Sequence, residues 1–109
     1  MYLLVSVMCP KSSAERITRE VLKRRLAACV TTMDGVHSTY WWKGRLDSGE
    51  ESLLLIKTRS ELFDRLKRTV KRIHPYEIPE VVAFRVDRGN REYLDWISKE
   101  TEPTVGRSR

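Results

Sequence analysis

Ile73-His74-Pro75-Tyr76-Glu77-Ile78-Pro79-Glu80 is the stretch at which a helical pattern gives way to a strand pattern. Each proline fixes its own φ and drives the residue before it, His74 or Ile78, out of helical conformation. A helix arriving from Leu62 must therefore stop here, and the chain must leave it extended. The same eight residues carry an imidazole, a phenol and two carboxylates. A rigid backbone with varied polar chemistry suits a binding edge. The plainer account is an edge strand with solvated side chains, and the residues alone leave both open.

On the N-terminal side of this stretch, Ser60 is placed to cap a helix whose core face reads Leu62, Phe63, Leu66, Val70 and Ile73. Glu61 stands four before Arg65 and Asp64 four before Arg68, the spacing of helix-supporting ion pairs, and Lys67, Arg68, Lys71 and Arg72 gather toward the helix end, where they complement its dipole. Further back, residues 51–58 form a mostly apolar strand, residues 44–49 read as a polar turn, and residues 36–43 are β-branched and aromatic. Val36, Ser38, Tyr40 and Trp42 share one face of that strand, and His37, Thr39, Trp41 and Lys43 the other. The two strands read as a long hairpin, preceded after Ala27-Ala28-Cys29 by the short β-prone run Val30-Thr31-Thr32.

Toward the N-terminus, residues 1–8 are an apolar first strand ending before Pro10, and Ser12-x-x-Glu15 is a capping box. It opens an amphipathic helix with Ala14, Ile17, Val21, Leu22 and Leu26 at three- and four-residue steps. Toward the C-terminus, Val82, Phe84 and Val86 share a face of a last strand, and Tyr93, Leu94, Trp96 and Ile97 mark a terminal helix. The order βα, ββ, αβ, α predicts an α+β fold: a ferredoxin-like, split βαβ antiparallel sheet with helices on one face.

At 109 residues the chain is expected to form one domain over residues 1–100, with 101–109 a flexible tail. The longest wholly apolar run, Leu53-Leu54-Leu55-Ile56, falls far short of the ~20 residues a membrane helix needs. The N-terminus reads as a strand and not a signal peptide, so the expected compartment is the cytoplasm. Two cysteines, Cys9 and Cys29, make no disulfide framework. A net charge of +6 would suit nucleic acid, but the alternation of acids and bases on the second helix argues against that partner. The first strand has only Tyr2 to stack on RNA bases. No Ser/His/Asp or Cys/His order and no Gly-rich phosphate loop stands out, so the chain is not expected to be an enzyme.

Trp41 and Trp42 put large aromatics on both faces of one strand. Burying a Trp removes ~200 Å² from water, worth roughly 5 kcal/mol at the upper limit. Such surface is seldom left wet, and the expectation is a subunit interface. Copper and zinc favour thiolate and imidazole ligands, and the chain has four such side chains, Cys9, Cys29, His37 and His74, with none at Cys-x-x-Cys or His-x-x-x-His spacing. Cys29, between alanine and valine, reads as a small buried hydrophobe as readily as a ligand.

Five blocks in order, Leu26-Ala27-Ala28-Cys29-Val30, Ser38-x-Tyr40-x-Trp42-Lys43-Gly44, Leu55-Ile56-Lys57-Thr58, His74-Pro75-Tyr76-Glu77-Ile78-Pro79-Glu80 and Gly89-Asn90-x-x-Tyr93-Leu94-x-Trp96-Ile97, together resemble the CutA divalent-cation tolerance family across residues 2–98. The resemblance implies a ferredoxin-like subunit in a tight homotrimer, hairpin strands pairing across subunits, and association with copper or another divalent cation. It implies His74 as a metal ligand, with Cys9 or Cys29 as further candidates. Family members with an assigned copper site carry a second histidine and a first-strand cysteine where this chain has Ile73 and Val7. The resemblance also extends to trimeric PII-like signalling proteins, which bind small ligands at subunit clefts. On that second reading Tyr40, Trp42, Lys57, Tyr76 and Glu80 line a cleft for an anionic or aromatic molecule.

Overall fold

In the computed structural model, which describes residues 1–101, the chain runs β1 (Tyr2–Cys9), α1 (Lys11–Lys23), β2 (Cys29–Trp42), β3 (Arg45–Arg59), a 3-10 turn (Ser60–Leu62), α2 (Phe63–Ile73), β4 (Glu80–Arg85) and α3 (Arg91–Thr101). The four strands form one antiparallel sheet in the order β2-β3-β1-β4, an α+β architecture. β1 is interior to the sheet, and its odd-numbered residues Leu3, Val5, Val7 and Cys9 are buried against Ala14, Ile17 and Val21 of α1 and Leu66 and Val70 of α2. The apolar spacing of the two helices thus selects the face each presents to the sheet.

The helix starts depart from the expected caps. α1 begins at Lys11 with Pro10 in the cap position and no side-chain cap. The Pro10 φ of −62° already suits a helix start, and its carbonyl accepts from the Ser13 N–H at 2.9 Å. Glu15 pairs instead with Arg19 at 2.8 Å. Ser60 opens the 3-10 turn, and α2 proper starts three residues later without a side-chain cap. Neither pair expected within α2 forms, because Glu61 lies 4.0 Å from Arg59 and Asp64 3.9 Å from Lys67.

β2 is one strand where two pieces were expected. A register shift between Met33 and Val36 absorbs the irregularity, with Gly35 at φ +72° supplying the left-handed residue that a bulge of this kind requires. Of the predicted 44–49 turn, residues 45–49 are strand. Trp42 pairs with Arg45, so only Lys43 and Gly44 turn the chain, both at positive φ (53° and 79°), as a type I′ hairpin demands. β1 pairs with β3 only from Ser52 to Arg59, so the distal half of the hairpin stands clear of the sheet.

α3 corrects the expectation that all helices share one face. Tyr2 and Arg59, partners across β1 and β3, alternate with the buried Leu3 and Thr58 and so look away from the α1/α2 core. They bond Ser98 and Thr101 of α3, which therefore covers the opposite face at that end of the sheet. Thr101, assigned above to the tail, is the 1% exposed last residue of the helix. The rest of the expected tail, 102–109, lies outside the described residues. Away from α3, among the described residues, this face is uncovered: Val82 and Phe84, which pair with Ser6 and Leu4 of β1, are 44% and 55% exposed.

Candidate functional site

The proline stretch behaves as its backbone chemistry requires. His74 is the C-cap of α2 at φ −76°, ψ 134°, and its N–H closes the helix on the Val70 carbonyl at 2.8 Å. Its ring is 7% exposed and fully engaged. The Tyr76 N–H donates to Nδ1 at 3.2 Å, which leaves Nε2 as the N–H that donates to the Met8 carbonyl at 2.7 Å. His74 is thus a post fastening the helix-strand junction to β1. The Tyr76 ring lies 4.7 Å from the imidazole, and its hydroxyl donates to Glu51 Oε2 on β3 at 2.6 Å. Burial first, then the bond to and charge of Glu51, push the Tyr76 phenol above its ordinary pKa, so it stays a donor.

These contacts form one wall of a cleft of about 580 Å³ between the 76–80 segment and the β2–β3 hairpin. Tyr40, Trp42 and Tyr76 supply aromatic surface; Asp47, Glu51, Glu77 and Glu80 supply four carboxylates, and among the described residues no lysine or arginine lines it. Glu80 accepts from the Ser6 hydroxyl at 3.3 Å, and the 9% exposed Glu51 is held by Tyr76. Four of the five cleft residues named from sequence, Tyr40, Trp42, Tyr76 and Glu80, come together here. Lys57 does not: its ammonium is bonded to Thr31 Oγ1 and lies 3.8 Å from Cys29 Sγ, farther along β3. Without it the lining is acidic, and an anionic ligand no longer fits. Sequence reasoning missed Asp47 and Glu51. A Lys43-Gly44 two-residue turn puts Tyr40 opposite Asp47 and Val36 opposite Glu51, so recognising the I′ turn was the signal that finds them.

The residues nominated as metal ligands are scattered. Cys9 is buried on the core side of the sheet, opposite Ser52, whereas Cys29 stands on the other face opposite Lys57. The five residue steps along β3 from one partner to the other span roughly 17 Å at about 3.4 Å per residue. Burial, then the charges of Glu51 and Asp34, push the Cys9 thiol up to about 11, the wrong direction for a thiolate ligand. His37 is exposed on the hairpin, opposite Glu50. Among the described residues no three His, Cys, Asp or Glu side chains converge as a metal centre, so a single chain does not fit a preformed copper site.

A four-stranded antiparallel α+β domain with an acidic, aromatic-walled cleft beside its long hairpin is the class of protein this fold and site define. Comparison with known proteins narrows it. Residues 3–100 match the family profile of the CutA1 divalent ion tolerance protein, and the chain belongs to that family. It is 42% identical over 99 residues to the divalent-cation tolerance protein CutA of Thermus thermophilus, covering 90% of this chain and 96% of that one. It is 43% identical over 97 residues to human protein CutA, covering 88% of this chain but 54% of the human protein. The rice relative, described as chloroplastic, is 40% identical over 100 residues, 91% of this chain and 56% of its own length. The chain thus spans about half the length of these plant and mammalian relatives. Among solved structures, the protein described as the periplasmic divalent cation tolerance protein CutA from Archaeoglobus fulgidus superposes with a TM-score of 0.91 at 36% identity, covering 94% of this chain and all of that one.

Proposed function

We propose that this chain is a divalent-cation tolerance protein that works as a homotrimer and collects cations at the acidic cleft. The observation that carries the reading is the lining: four carboxylates and three aromatic rings around one cavity, with no cationic side chain among the described residues that line it. Such a cleft focuses negative potential and concentrates cations by attraction alone. Carboxylate oxygens suit hard and borderline divalent ions, and copper would need imidazole or thiolate donors that one subunit does not bring together. The coordination sphere is therefore completed between subunits, and His74 serves by fixing Tyr76 and through it Glu51. The element order β1-α1-β2-β3-α2-β4 with strand order β2-β3-β1-β4 supports the ferredoxin-like reading of the subunit. The exposed Val82 and Phe84 face and the projecting hairpin, with Trp41 71% exposed, support the trimer. Two unpaired thiols suit a reducing compartment such as the cytoplasm.

A second reading is favoured by the size of the cleft. A volume of about 580 Å³ with aromatic walls suits a small organic cation, which would make the protein a PII-like ligand module. Thermal melts against copper, zinc and manganese salts and against a panel of organic cations and nucleotides separate the two, since only a ligand of the folded state raises Tm with concentration. Divalent ions are expected to raise it in the wild type and to lose most of that effect in the Glu77→Gln/Glu80→Gln variant. An equal rise in both proteins would remove the cleft from the account.

A further inference from the structure

A second concavity, of about 220 Å³, lies in the helical layer between the end of α1 and the outer side of α2, lined by Arg24, Leu26, Arg65, Arg68, Thr69 and Arg72. Four of these six lining residues are arginines, and among the described residues no Asp or Glu lines it. Arg65, Arg68 and Arg72 follow at i, i+3 and i+7 and so share one face of α2. Arg24 comes from a different element, the C-cap of α1, where Glu20 holds its Nε at 3.1 Å.

The arrangement is not an ordinary solvated helix face. The carboxylates spaced to neutralise Arg65 and Arg68 turn to other cations, Glu61 to Arg59 and Asp64 to Lys67. Among the described residues Arg65, Arg68 and Arg72 therefore have no carboxylate within 4.0 Å. Complementing the helix dipole accounts for Arg72 in the last turn, but not for Arg65, which is in the first turn, where positive charge is disfavoured. Clustering like charges at these spacings costs stability, and an anion removes that cost.

We propose that this groove is an anion site for a short chain of phosphoryl groups, of the size of pyrophosphate or tripolyphosphate. The planar guanidinium fork matches phosphoryl oxygens two at a time, and arginines contributed to one groove by two elements suit a multiply charged chain better than a single monoanion. Thr69, 5% exposed, adds a hydroxyl to the lining, and Leu26, 4% exposed, an apolar contact. The surface beyond the groove is mixed in sign, with Arg19 paired to Glu15, which favours a compact ligand over a nucleic-acid backbone. The site stands apart from the acidic cleft, and its test does not depend on the cation reading.

The test is calorimetric titration of the full chain with sodium tripolyphosphate at about 150 mM ionic strength, where long-range surface attraction is screened. One saturable site per chain is expected. Arg68→Gln/Arg72→Gln should weaken binding about tenfold or more, as expected for loss of charge-assisted bonds. Arg68→Lys/Arg72→Lys should fall between, since charge survives but the fork does not. Arg16→Gln/Arg19→Gln, outside the groove, should bind as wild type, with unchanged melting curves showing that each variant is folded. ATP binding with the same affinity as tripolyphosphate would mean that the phosphate chain alone is read, as proposed. Absence of saturation, equal losses in the outside pair, or tighter binding of an RNA oligonucleotide than of tripolyphosphate would each overturn the proposal.

Discussion

At the residue scale, the cleft depends on a relay: Met8 carbonyl to His74, His74 to the Tyr76 backbone, and Tyr76 hydroxyl to Glu51. Tyr76→Phe keeps the ring but leaves a nearly buried carboxylate without its donor, a loss of about 1–3 kcal/mol. Urea unfolding should show that loss, and a change below a few tenths would mean that water replaces the phenol at no cost. Cys9 contributes to the pH dependence at the alkaline end. Its folded pKa, about 11, lies above the ordinary 9.0, so the thiol stabilises the fold fully below pH 9, and that contribution is lost as pH rises toward 11. The difference amounts to about 3 kcal/mol as an upper limit. Cys9→Ala is expected to be less stable at neutral pH because it opens a cavity, but its stability should fall less steeply between pH 9 and pH 11. A thiol reagent at pH 8 should modify Cys29 and spare Cys9 in the folded protein.

At the element scale, the hairpin shows how a two-residue choice sets the position of a site. Lys43 occupies a left-handed conformation that ordinary residues adopt at a cost of roughly 1–2 kcal/mol. Asparagine tolerates it better, so Lys43→Asn should stabilise the protein by a few tenths to about 1 kcal/mol, while Gly44→Val should destabilise it by more. Thermal melts at one protein concentration decide it, and an unchanged Lys43→Asn would mean that the contact of the Lys43 ammonium with the Trp42 ring, 5.7 Å from its centroid, offsets the backbone relief. The same element explains why the turn was misread. Residues 44–49 are polar because the projecting hairpin is solvated, and composition alone does not distinguish a wet strand from a loop.

At the scale of the whole molecule, the exposed Val82 and Phe84 and the projecting hairpin are the features that bear on the proposed trimer. Light scattering at micromolar concentration is expected to give a mass near three times the 12.8 kDa of one chain. Phe84→Glu, which places a charge on the bare face, should shift the population toward monomer without abolishing secondary structure. A wild-type monomer would sink the assembly, and with it the shared cation site.

Much of the local structure was legible from residue order alone. The helix had to end at His74-Pro75, the core faces of α1 and α2 follow from three- and four-residue apolar steps, and the five blocks placed the chain in its family, because each rests on local sterics or on a period written along the backbone. Lys57 was assigned to the cleft and Asp47 and Glu51 were not, α3 was put on the wrong face, and Arg65 and Arg68 were given partners they do not take. Those outcomes turn on register, on which face a helix reaches, and on which of several carboxylates a flexible cation meets. Each is a competition between distant groups, settled only when packing brings them within a few ångströms, and no one-dimensional spacing encodes it.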